Sequence, residues 1–391
     1  MAGALDGTQV LEVANYLTGP FAAMLLADQG AEVIKVEARD GGDPFRGWEE
    51  HGYSSNFRSV NRNKRSITLD LQNPKGCDIL LRLAERSDVL IENHRPGVMK
   101  RLGLDYASVA HRNPRIVYCS ISGYGENPPA SDLPGYDTIG QARSGLLSLL
   151  TELSDPKPVG ISLSDHVTGL YACQGILSAL FARSRTGKGQ EVKTSLLQAG
   201  VSFAQEAASR YFTSGKVPTR ETRVRTAQVF AFLAGDGLPL VIHLSSPAKF
   251  WDGLTGAIGR PDLLSDERFR DRPARIRNYD ALREILSKAF ASQPRETWLS
   301  RLQQHDVPCS AIQSMAEVFE DPLVRAMGMP VKLDHPTMGE VRLSGSGVTL
   351  GNNPVAYRTA PPLLGEHTEM ILAEMNFDEE ARRQLRQENV I

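Results

Sequence analysis

Cysteine is scarce in this sequence, with four residues among 391, and none forms a CxxC pair or a cysteine–histidine spacing typical of a zinc site. Cys77, Cys119, Cys173 and Cys309 are far apart, and Cys119 and Cys173 lie in apolar stretches typical of small core residues. This pattern argues against a disulfide framework and favours a reducing compartment.

Long apolar runs and a strong charge of one sign are also missing. No apolar run approaches the roughly 20 residues that a membrane-spanning helix needs. The opening MAGALDGTQVLEVANYL has no basic segment followed by an apolar one, so no secretory signal is predicted. The formal net charge of −2 provides no global field that would attract nucleic acid or an anionic membrane surface. We therefore expect a soluble, cytoplasmic protein.

The glycine patterns that bind nucleotide phosphates are absent. The loop after the first predicted strand, NYLTGP, holds one glycine and no GxGxxG, and GxxxxGK[ST] occurs nowhere. HExxH and EF-hand loops are missing as well. The sequence argues against a nicotinamide oxidoreductase and against phosphoryl transfer, and it predicts neither a catalytic metal nor a prosthetic group.

Strand and helix signals alternate through the first 200 residues. Strands are predicted at TQVLEV (8–13), AEVIKVE (31–37), SDVLIEN (87–93) and RIVYCSISGYG (115–125). Helix-like segments such as FAAMLLADQG and CDILLRLAERS lie between them, and Pro74 suits a first helical turn. This alternation predicts an α/β fold with a mostly parallel sheet that is buried on both faces.

The chain is long enough for two domains. Residues 1–213 form the first part of a large α/β domain, and the polar segment 214–226 is predicted to be a linker. Residues 227–325 form a smaller α+β domain that opens with a hairpin turning at Asp236-Gly237. Residues 326–391 are expected to return to the large domain and to end in a helix.

Several basic residues stand near predicted strand ends, where open α/β sheets bind ligands. They are Arg39, Arg46, Lys64, Arg65, Arg95, Lys100 and Arg101. For any one of them taken alone, a solvated position is favoured, because lysine and arginine are mostly exposed.

Asp165 directly precedes an apolar, helix-like run in ISLSDHVTGLYACQGILSAL (161–180). It could cap the helix by accepting a first-turn N–H, as Ser164 equally could. The same position offers the positive potential of a helix N-terminus, which favours the ionised carboxylate that a nucleophile requires. The local sequence by itself favours the cap.

Ordered matches along the chain resemble the family III CoA-transferases, which include formyl-CoA transferase, carnitine CoA-transferases and α-methylacyl-CoA racemase. The matching segments are LDGTQVLEV, GPFAAMLLADQGAEVIKVE, GGDPFR, NKRSITLDL, DVLIENHRPG, ISGYG, PGYD, TGKGQEV, VPCSAI and PLLGEHT. The resemblance implies a Rossmann-like large domain with a parallel sheet, a small α+β domain, and an interlocked homodimer in which both chains contribute to each site.

The resemblance also implies site residues. The family's nucleophilic aspartate matches Asp165, and its contacts to CoA match Tyr16, Leu69, Asn93, Arg101, Leu102 and Tyr136. The usual basic residue falls on Ala38, and Arg39 follows it by one position. A lysine that formyl-CoA transferases place near CoA falls on Pro134, and their glycine-rich flap has no counterpart, so formyl or oxalate specificity is not implied.

The implied reaction moves CoA from an acyl-CoA thioester to a small carboxylic acid through an aspartyl-acyl anhydride and an aspartyl-CoA thioester. One alternative is 2-methylacyl-CoA racemase, but the racemase histidine falls on Tyr136, and a tyrosine with an ordinary pKa of about 10 is a poor base. A catalytically inactive CoA-binding homologue is a second alternative. His166 is expected to be structural, because adjacent residues of a helix do not face each other.

Overall fold

The computed structural model describes residues 2–49, 52–125 and 133–391. Contacts between residues divide the chain into two compact units. The larger unit takes in the chain through Leu147, then Pro158–Ala208 and Met327–Ile391, and the smaller unit takes in Ser148–Lys157 and Ser209–Ala326. None of the helices in the described ranges combines the length and the apolar character needed to span a membrane.

Six parallel strands form the sheet of the larger unit. They are β1 (Gln9–Val13), β2 (Glu32–Glu37), β3 (Lys64–Thr68), β4 (Val89–Glu92), β5 (Val117–Ser122) and β6 (Gln190–Ser195). Their order is β3-β2-β1-β4-β5-β6, and every neighbouring pair is parallel. The predicted α/β class is confirmed. Strand β3, with the sequence KRSIT, was not predicted because four of its five residues are polar.

Helices cover both faces of this sheet. The α-helices in the described part of the first 214 residues are α1 (Thr18–Asp28), α2 (Ser55–Ser59), α3 (Pro74–Arg86), α4 (Val98–Arg101), α5 (Tyr106–Arg112), α6 (Asp137–Arg143), α7 (Leu163–Thr186), α8 (Leu196–Phe203) and α9 (Gln205–Ser214). One apolar cluster joins the strands to α3 and α5, and another joins them to α1 and α7. Two-sided burial explains why β1 and β4 are almost entirely buried.

The sheet reverses its order between β1 and β4, which are hydrogen-bonded neighbours. In open α/β sheets the crevice at such a switch point, outside the carboxyl ends of the strands, binds ligands. The loop from β1 to α1 and the loop from β4 to α4 leave the sheet at this point. The fold therefore singles out these two loops as candidates for the site.

The smaller unit contains an antiparallel three-stranded sheet, the second half of α9 and seven complete α-helices among its described residues. The strands are β7 (Val229–Leu233), β8 (Pro239–His243) and β9 (Cys309–Ala311); the helices are α10 (Arg220–Thr226), α11 (Ala248–Ala257), α12 (Arg272–Arg277), α13 (Tyr279–Phe290), α14 (Arg295–Gln304), α15 (Met315–Glu320) and α16 (Pro322–Ala326). The predicted hairpin is confirmed, and Gly237 supplies the positive φ of 77° that its turn requires.

The segment 214–226, expected to be a linker, contains helix α10. Thr219 and Thr222 cap its first turn reciprocally. Arg225 forms two hydrogen bonds to the carboxylate of Asp280, 2.8 and 2.9 Å long, and Val224 packs against the apolar core of the smaller unit. Tertiary contacts thus stabilise a helix that apolar periodicity does not reveal.

The last part of the chain belongs to the larger unit. It comprises the antiparallel strands β10 (Pro330–His335) and β11 (Gly339–Ser344) and the helices α17 (Thr368–Glu374) and α18 (Glu379–Gln387). His367 attaches this segment to β3, because its Nδ1 accepts the N–H of Ser66 and its own N–H donates to the Ser66 carbonyl. The final helix that the sequence predicts is present.

Candidate active site

A cleft of about 750 Å³ opens at the carboxyl edge of the larger unit's sheet. Its walls come from residues that follow β1, β2, β4 and β5 and from the first turns of α6 and α7. Asp165 lines this cleft together with Tyr16, Asn93 and Tyr136. The structure thus brings four of the eight predicted site residues to one cavity.

Asp165 lies in the first turn of α7 but does not cap it. The N-cap residue is Ser162, whose side chain makes no capping hydrogen bond. The N–H of Asp165 instead donates to Oδ1 of Asp137, 3.1 Å away on α6, and the Ser164 hydroxyl donates to the carbonyl of Leu196. The capping interpretation, for Asp165 and for Ser164, is therefore wrong, and the carboxylate of Asp165 is left for another role.

Thr18, the first residue of α1, donates its hydroxyl to Oδ1 of Asp165 over 2.6 Å. Its side chain is buried. Gly169 permits this approach of α1 to α7, since a Cβ there would lie 2.9 Å from the Thr18 carbonyl oxygen and 2.8 Å from the Phe21 ring. Sequence reasoning missed Thr18, because a threonine at the start of a helix looks the same whether or not it contacts a distant acid.

Burial raises the pKa of Asp165 to about 6. The Thr18 hydrogen bond lowers that pKa, the neighbouring Asp137 carboxylate raises it, and His166 lowers it. The balance is opposite to the expectation that the helix N-terminus favours the ionised form. A carboxyl with this pKa is mostly ionised at neutral pH and more basic than an ordinary aspartate, which makes it a better nucleophile.

His166 is held away from Asp165 by its own contacts. Its Nδ1 lies 2.7 Å from the Ser162 carbonyl oxygen, and because a carbonyl only accepts, Nδ1 carries the proton. The imidazole also packs edge-to-face on Phe21, with ring centroids 5.0 Å apart. These contacts agree with a structural role for His166.

Tyr16 has a left-handed backbone, with φ of 63°, which costs a non-glycine residue roughly 1–3 kcal/mol. Its N–H donates to Oδ1 of Asp43 over 3.0 Å. The preceding residue is fixed too, because the side chain of Asn93 accepts the N–H of Asn15 and donates to its carbonyl, at 2.8 and 2.7 Å. Asn93 therefore holds the turn that presents Tyr16 to the cleft.

Aromatic side chains form one wall of the cleft. The ring of Tyr16 packs edge-to-face against Tyr136 and Phe45, with centroids 6.0 and 5.5 Å apart, and Phe45 packs against Trp48 at 4.7 Å. Trp48 and Tyr136 keep about three-fifths of their surface exposed, at 61% and 60%. Burial is the main cause that raises the pKa of Tyr16, and a hydrogen bond with Tyr136 raises it further, so the Tyr16 hydroxyl stays protonated.

A buried network of four charges connects the Tyr16 turn to the first three strands. Nζ of Lys35 lies 2.7 Å from Glu12 and 2.8 Å from Asp43, and Nζ of Lys64 lies 2.7 Å from Glu12. All four side chains are buried. Burial lowers the pKa of Lys35, but Asp43, Glu12 and Glu37 outweigh it and hold that pKa above its ordinary value. Two acids and two bases balance, which is what buried charges require.

Two of the basic residues expected to be solvated are therefore interior. Lys64 belongs to the network above, and Arg46 is 2% exposed, with Nε and Nη2 each 2.7 Å from the carboxylate of Glu37. The sequence pattern could not distinguish them from Lys100 or Arg101, which are exposed. Both residues stabilise the loops around the cleft and are already paired with protein carboxylates.

The other predicted CoA contacts lie outside the lining of the cleft. Leu69 directly follows β3 and is buried in the apolar core, and Leu102 is half-buried and packs against that core. Arg101 ends α4 and is exposed. Arg39 follows β2, and its guanidinium donates to Asn389 over 2.6 Å and to Asp40 over 2.8 Å.

Comparison with known proteins gives the same family along almost the whole chain. The model of CoA-transferase family III matches residues 5–368. Succinyl-CoA:glutarate CoA-transferase of Mus musculus is 36% identical over 97% of this chain and 88% of its own length. Acetyl-CoA:oxalate CoA-transferase of Acetobacter aceti is 36% identical over 90% of this chain and 89% of its own length.

A solved structure agrees with these relatives. The crystal structure of a CAIB/BAIF family protein from Brucella suis superposes with a TM-score of 0.86, at 33% identity, and covers 96% of this chain and 100% of that one. The chain belongs to CoA-transferase family III. The resemblance seen in the sequence motifs is thereby confirmed, and the chain is a CoA-transferase that acts on acyl-CoA.

Proposed function

We propose that Asp165 carries CoA from an acyl-CoA donor to a carboxylic acid acceptor as a covalent intermediate. The observation that supports this most directly is that only one of the two carboxylate oxygens of Asp165 accepts a side-chain hydrogen bond in the described part of the cleft. Thr18 holds Oδ1, while among the described residues no hydrogen bond reaches Oδ2. A half-buried carboxylate with a raised pKa and one oxygen without a hydrogen-bond partner among the described residues suits nucleophilic attack on a thioester.

The first half-reaction begins with attack of Oδ2 on the donor thioester carbonyl. The Oδ2–acyl bond forms, the C–S bond breaks, and CoA leaves as the thiolate, which gives an aspartyl-acyl anhydride. The thiolate then adds to Cγ of Asp165. The Cγ–Oδ2 bond breaks, and the donor acid departs with that oxygen, which leaves an aspartyl-CoA thioester.

The second half-reaction repeats these steps in reverse on the acceptor acid. An acceptor oxygen attacks Cγ and expels the thiolate, and the thiolate attacks the acceptor's acyl carbon. The acyl–oxygen bond breaks, so one acceptor oxygen remains on Asp165. Each step exchanges one activated acyl bond for another, and the energy of the thioester is conserved without a nucleotide cofactor.

Four of the CoA contacts proposed from the family motifs lie just after the carboxyl ends of neighbouring strands. Leu69, Arg39, Tyr16 and Asn93 follow β3, β2, β1 and β4, which are successive neighbours. Strands lie roughly 4.8 Å apart, so these four ends extend over roughly 14 Å and suit an elongated ligand. Arg101, Leu102 and Tyr136 complete the proposed set. Because the side chain of Leu69 is buried, its contact would come from the main chain.

A dicarboxylic acid is the acid substrate that we propose. The two relatives above are named for glutarate and oxalate, both of which have two carboxylates. Arg95 lines the cleft and is exposed there, so its guanidinium is available to a second carboxylate.

We also propose a homodimer, as the family motifs imply. Phenylalanines on three helices are exposed: Phe181 on α7 at 65%, Phe203 on α8 at 53% and Phe212 on α9 at 81%. Exposed aromatic side chains are enriched at protein interfaces. Light scattering coupled to gel filtration should give twice the 42.8 kDa chain mass, and a monomer at micromolar concentration would contradict the proposal.

Intact-protein mass spectrometry tests the covalent mechanism. Incubation with succinyl-CoA or glutaryl-CoA should add the mass of a CoA thioester, and free glutarate or succinate should discharge it, whereas acetate should not. With acceptor acid labelled with ¹⁸O, the peptide containing Asp165 should gain one labelled oxygen. Steady transfer without an adduct and without label in that peptide would exclude the mechanism.

A further inference from the structure

Thr18 contacts the carboxylate of Asp165 from a buried position. Its side chain is 5% exposed, and its hydroxyl lies 2.6 Å from Oδ1. A carboxylate accepts hydrogen bonds and does not donate them, so in the ionised state of Asp165 the proton lies on Thr18 Oγ1. The bond is thus a short, charge-assisted one to the oxygen that does not attack.

The backbone around Thr18 is fixed. Thr18 begins α1, directly after the Tyr16 turn that Asp43 and Asn93 hold. The close contact at Gly169 sets the distance between α1 and α7 on the side of Asp165. Since both helices are anchored independently of the hydrogen bond, its geometry is set before any substrate binds, which is the condition for preorganised catalysis.

We propose that Thr18 holds Oδ1 of Asp165 in place throughout the catalytic cycle, directs Oδ2 to the thioester, and stabilises the oxyanion that forms on Oδ1. The inference rests on the proposed covalent role of Asp165. It assigns to a hydroxyl two tasks that the carboxylate cannot perform alone. One is to distinguish the two carboxylate oxygens, and the other is to stabilise the negative charge that forms on Oδ1 in the transition state.

The atoms balance in both halves of the reaction. When thiolate or acceptor carboxylate adds to Cγ, a bond to Cγ forms and the carbonyl π pair moves onto Oδ1, which becomes an oxyanion. The Thr18 hydroxyl already points at that atom. When the tetrahedral centre collapses, the pair returns and the bond from Cγ to the leaving group breaks. Oδ1 is never expelled, and every oxygen exchanged with an acid passes through the Oδ2 position.

Other charged and titratable groups surround the carboxylate and set the background for any pH measurement. The Asp137 carboxylate raises the pKa of Asp165, and His166, the next residue along α7, lowers it. The remaining titratable groups that line the same cleft, among the described residues, are Tyr16, His94, Arg95 and Tyr136. None of them changes in a Thr18 variant, so a shift between variants reports the hydroxyl.

Three variants separate these roles from stability. Thr18→Val keeps the size of the side chain and removes the donor, and Thr18→Ser retains the donor. Thr255→Val is the matched control, because Thr255 is 1% exposed, its hydroxyl donates to the Asp252 carbonyl over 2.9 Å in α11, and it is not among the residues that line the cleft. Thermal unfolding of each full-length protein gives the structural cost of losing one buried hydroxyl.

Oxygen exchange is the most specific measurement. After many turnovers with ¹⁸O-labelled acceptor, the Asp165 peptide of the wild type should retain one unlabelled carboxylate oxygen, whereas Thr18→Val should exchange both. Discharge of the aspartyl-CoA thioester at pH 8.5 should be about 100-fold slower in Thr18→Val, the usual effect of removing one oxyanion donor. Thr18→Ser should regain most of that rate, and Thr255→Val should match the wild type.

A chemical measurement that needs no turnover completes the test. Carbodiimide labels protonated carboxyls, so the pH dependence of labelling of the Asp165 peptide gives its titration midpoint in the free protein. Thr18→Val should move that midpoint upward by about one pH unit. An unchanged midpoint, or a single exchanged oxygen in Thr18→Val, would overturn the proposal. If the wild type forms no adduct, the covalent mechanism itself fails, and the labelling midpoint still decides whether Thr18 controls Asp165.

Discussion

Asp165→Asn should abolish the covalent CoA adduct and lower kcat by roughly 10⁴-fold or more, the scale seen when a covalent nucleophile is removed. The amide keeps the shape of the carboxylate and can still accept the Thr18 hydroxyl, so the cleft should be preserved. What it lacks is the negative charge that attacks the thioester. The measurement is CoA transfer from succinyl-CoA to glutarate, with the adduct followed by mass spectrometry in the same samples.

The same substitution should stabilise the protein at neutral pH. Burial raises the pKa of Asp165 to about 6, compared with about 3.9 for an unfolded chain. When the pKa of a carboxyl is higher in the folded state than in the unfolded one, the free energy of unfolding falls as the pH rises from about 4 to about 6. The reason is that the folded protein must then release a proton that it holds more tightly than the unfolded chain does. The cost above that window is up to roughly 3 kcal/mol, and asparagine removes it.

Unfolding curves at two pH values therefore serve as the control for activity. At pH 8 the variant should be more stable than the wild type, and the difference should shrink as the pH is lowered toward 4. Lost activity together with this gain in stability would show that chemistry and not folding is affected. A variant that is destabilised at pH 8, or that still forms the adduct, would contradict the assignment of Asp165.

Lys35→Met should destabilise the larger unit by about 3–5 kcal/mol, because it leaves Glu12 and Asp43 buried with a single cation, Lys64. Asp43 also accepts the N–H groups of Tyr16 and Phe45, so the turn in front of the cleft should loosen as well. The expected result is a lower free energy of unfolding in urea, with weaker CoA binding by the protein that remains folded.

A balanced double variant distinguishes charge from packing. Lys35→Met combined with Asp43→Asn again leaves one acid and one base, and the asparagine oxygen can still accept the two N–H groups. The double variant should therefore be more stable than Lys35→Met alone. Lys249→Met is the surface control: its ion pair with Asp306 is exposed, and its loss should cost less than about 1 kcal/mol. Equal losses for Lys35→Met and Lys249→Met would refute the role assigned to the network.

The sequence by itself determined the fold class and the family. The apolar runs that became β1, β2, β4 and β5 lie within the predicted strand segments, and Pro74 begins α3 as expected. Such signals are local, because a strand buried on both faces must be apolar and a proline in a first helical turn loses no hydrogen bond. The ordered motifs identified the CoA-transferase family for the same reason, since they are contiguous in the chain.

Only the tertiary structure decided which side chains meet at the site. Thr18 and Asp165 are 147 residues apart, and no local pattern joins them. Lys64 and Arg46 look like surface cations in the sequence, and they are interior because partners on other segments, Glu12 and Glu37, neutralise them. The raised pKa of Asp165 likewise follows from its burial in the cleft. This effect is larger than the lowering of the pKa that the sequence predicts from the helix N-terminus. Burial and charge pairing are properties of the packed chain, so they appear only once distant segments lie side by side.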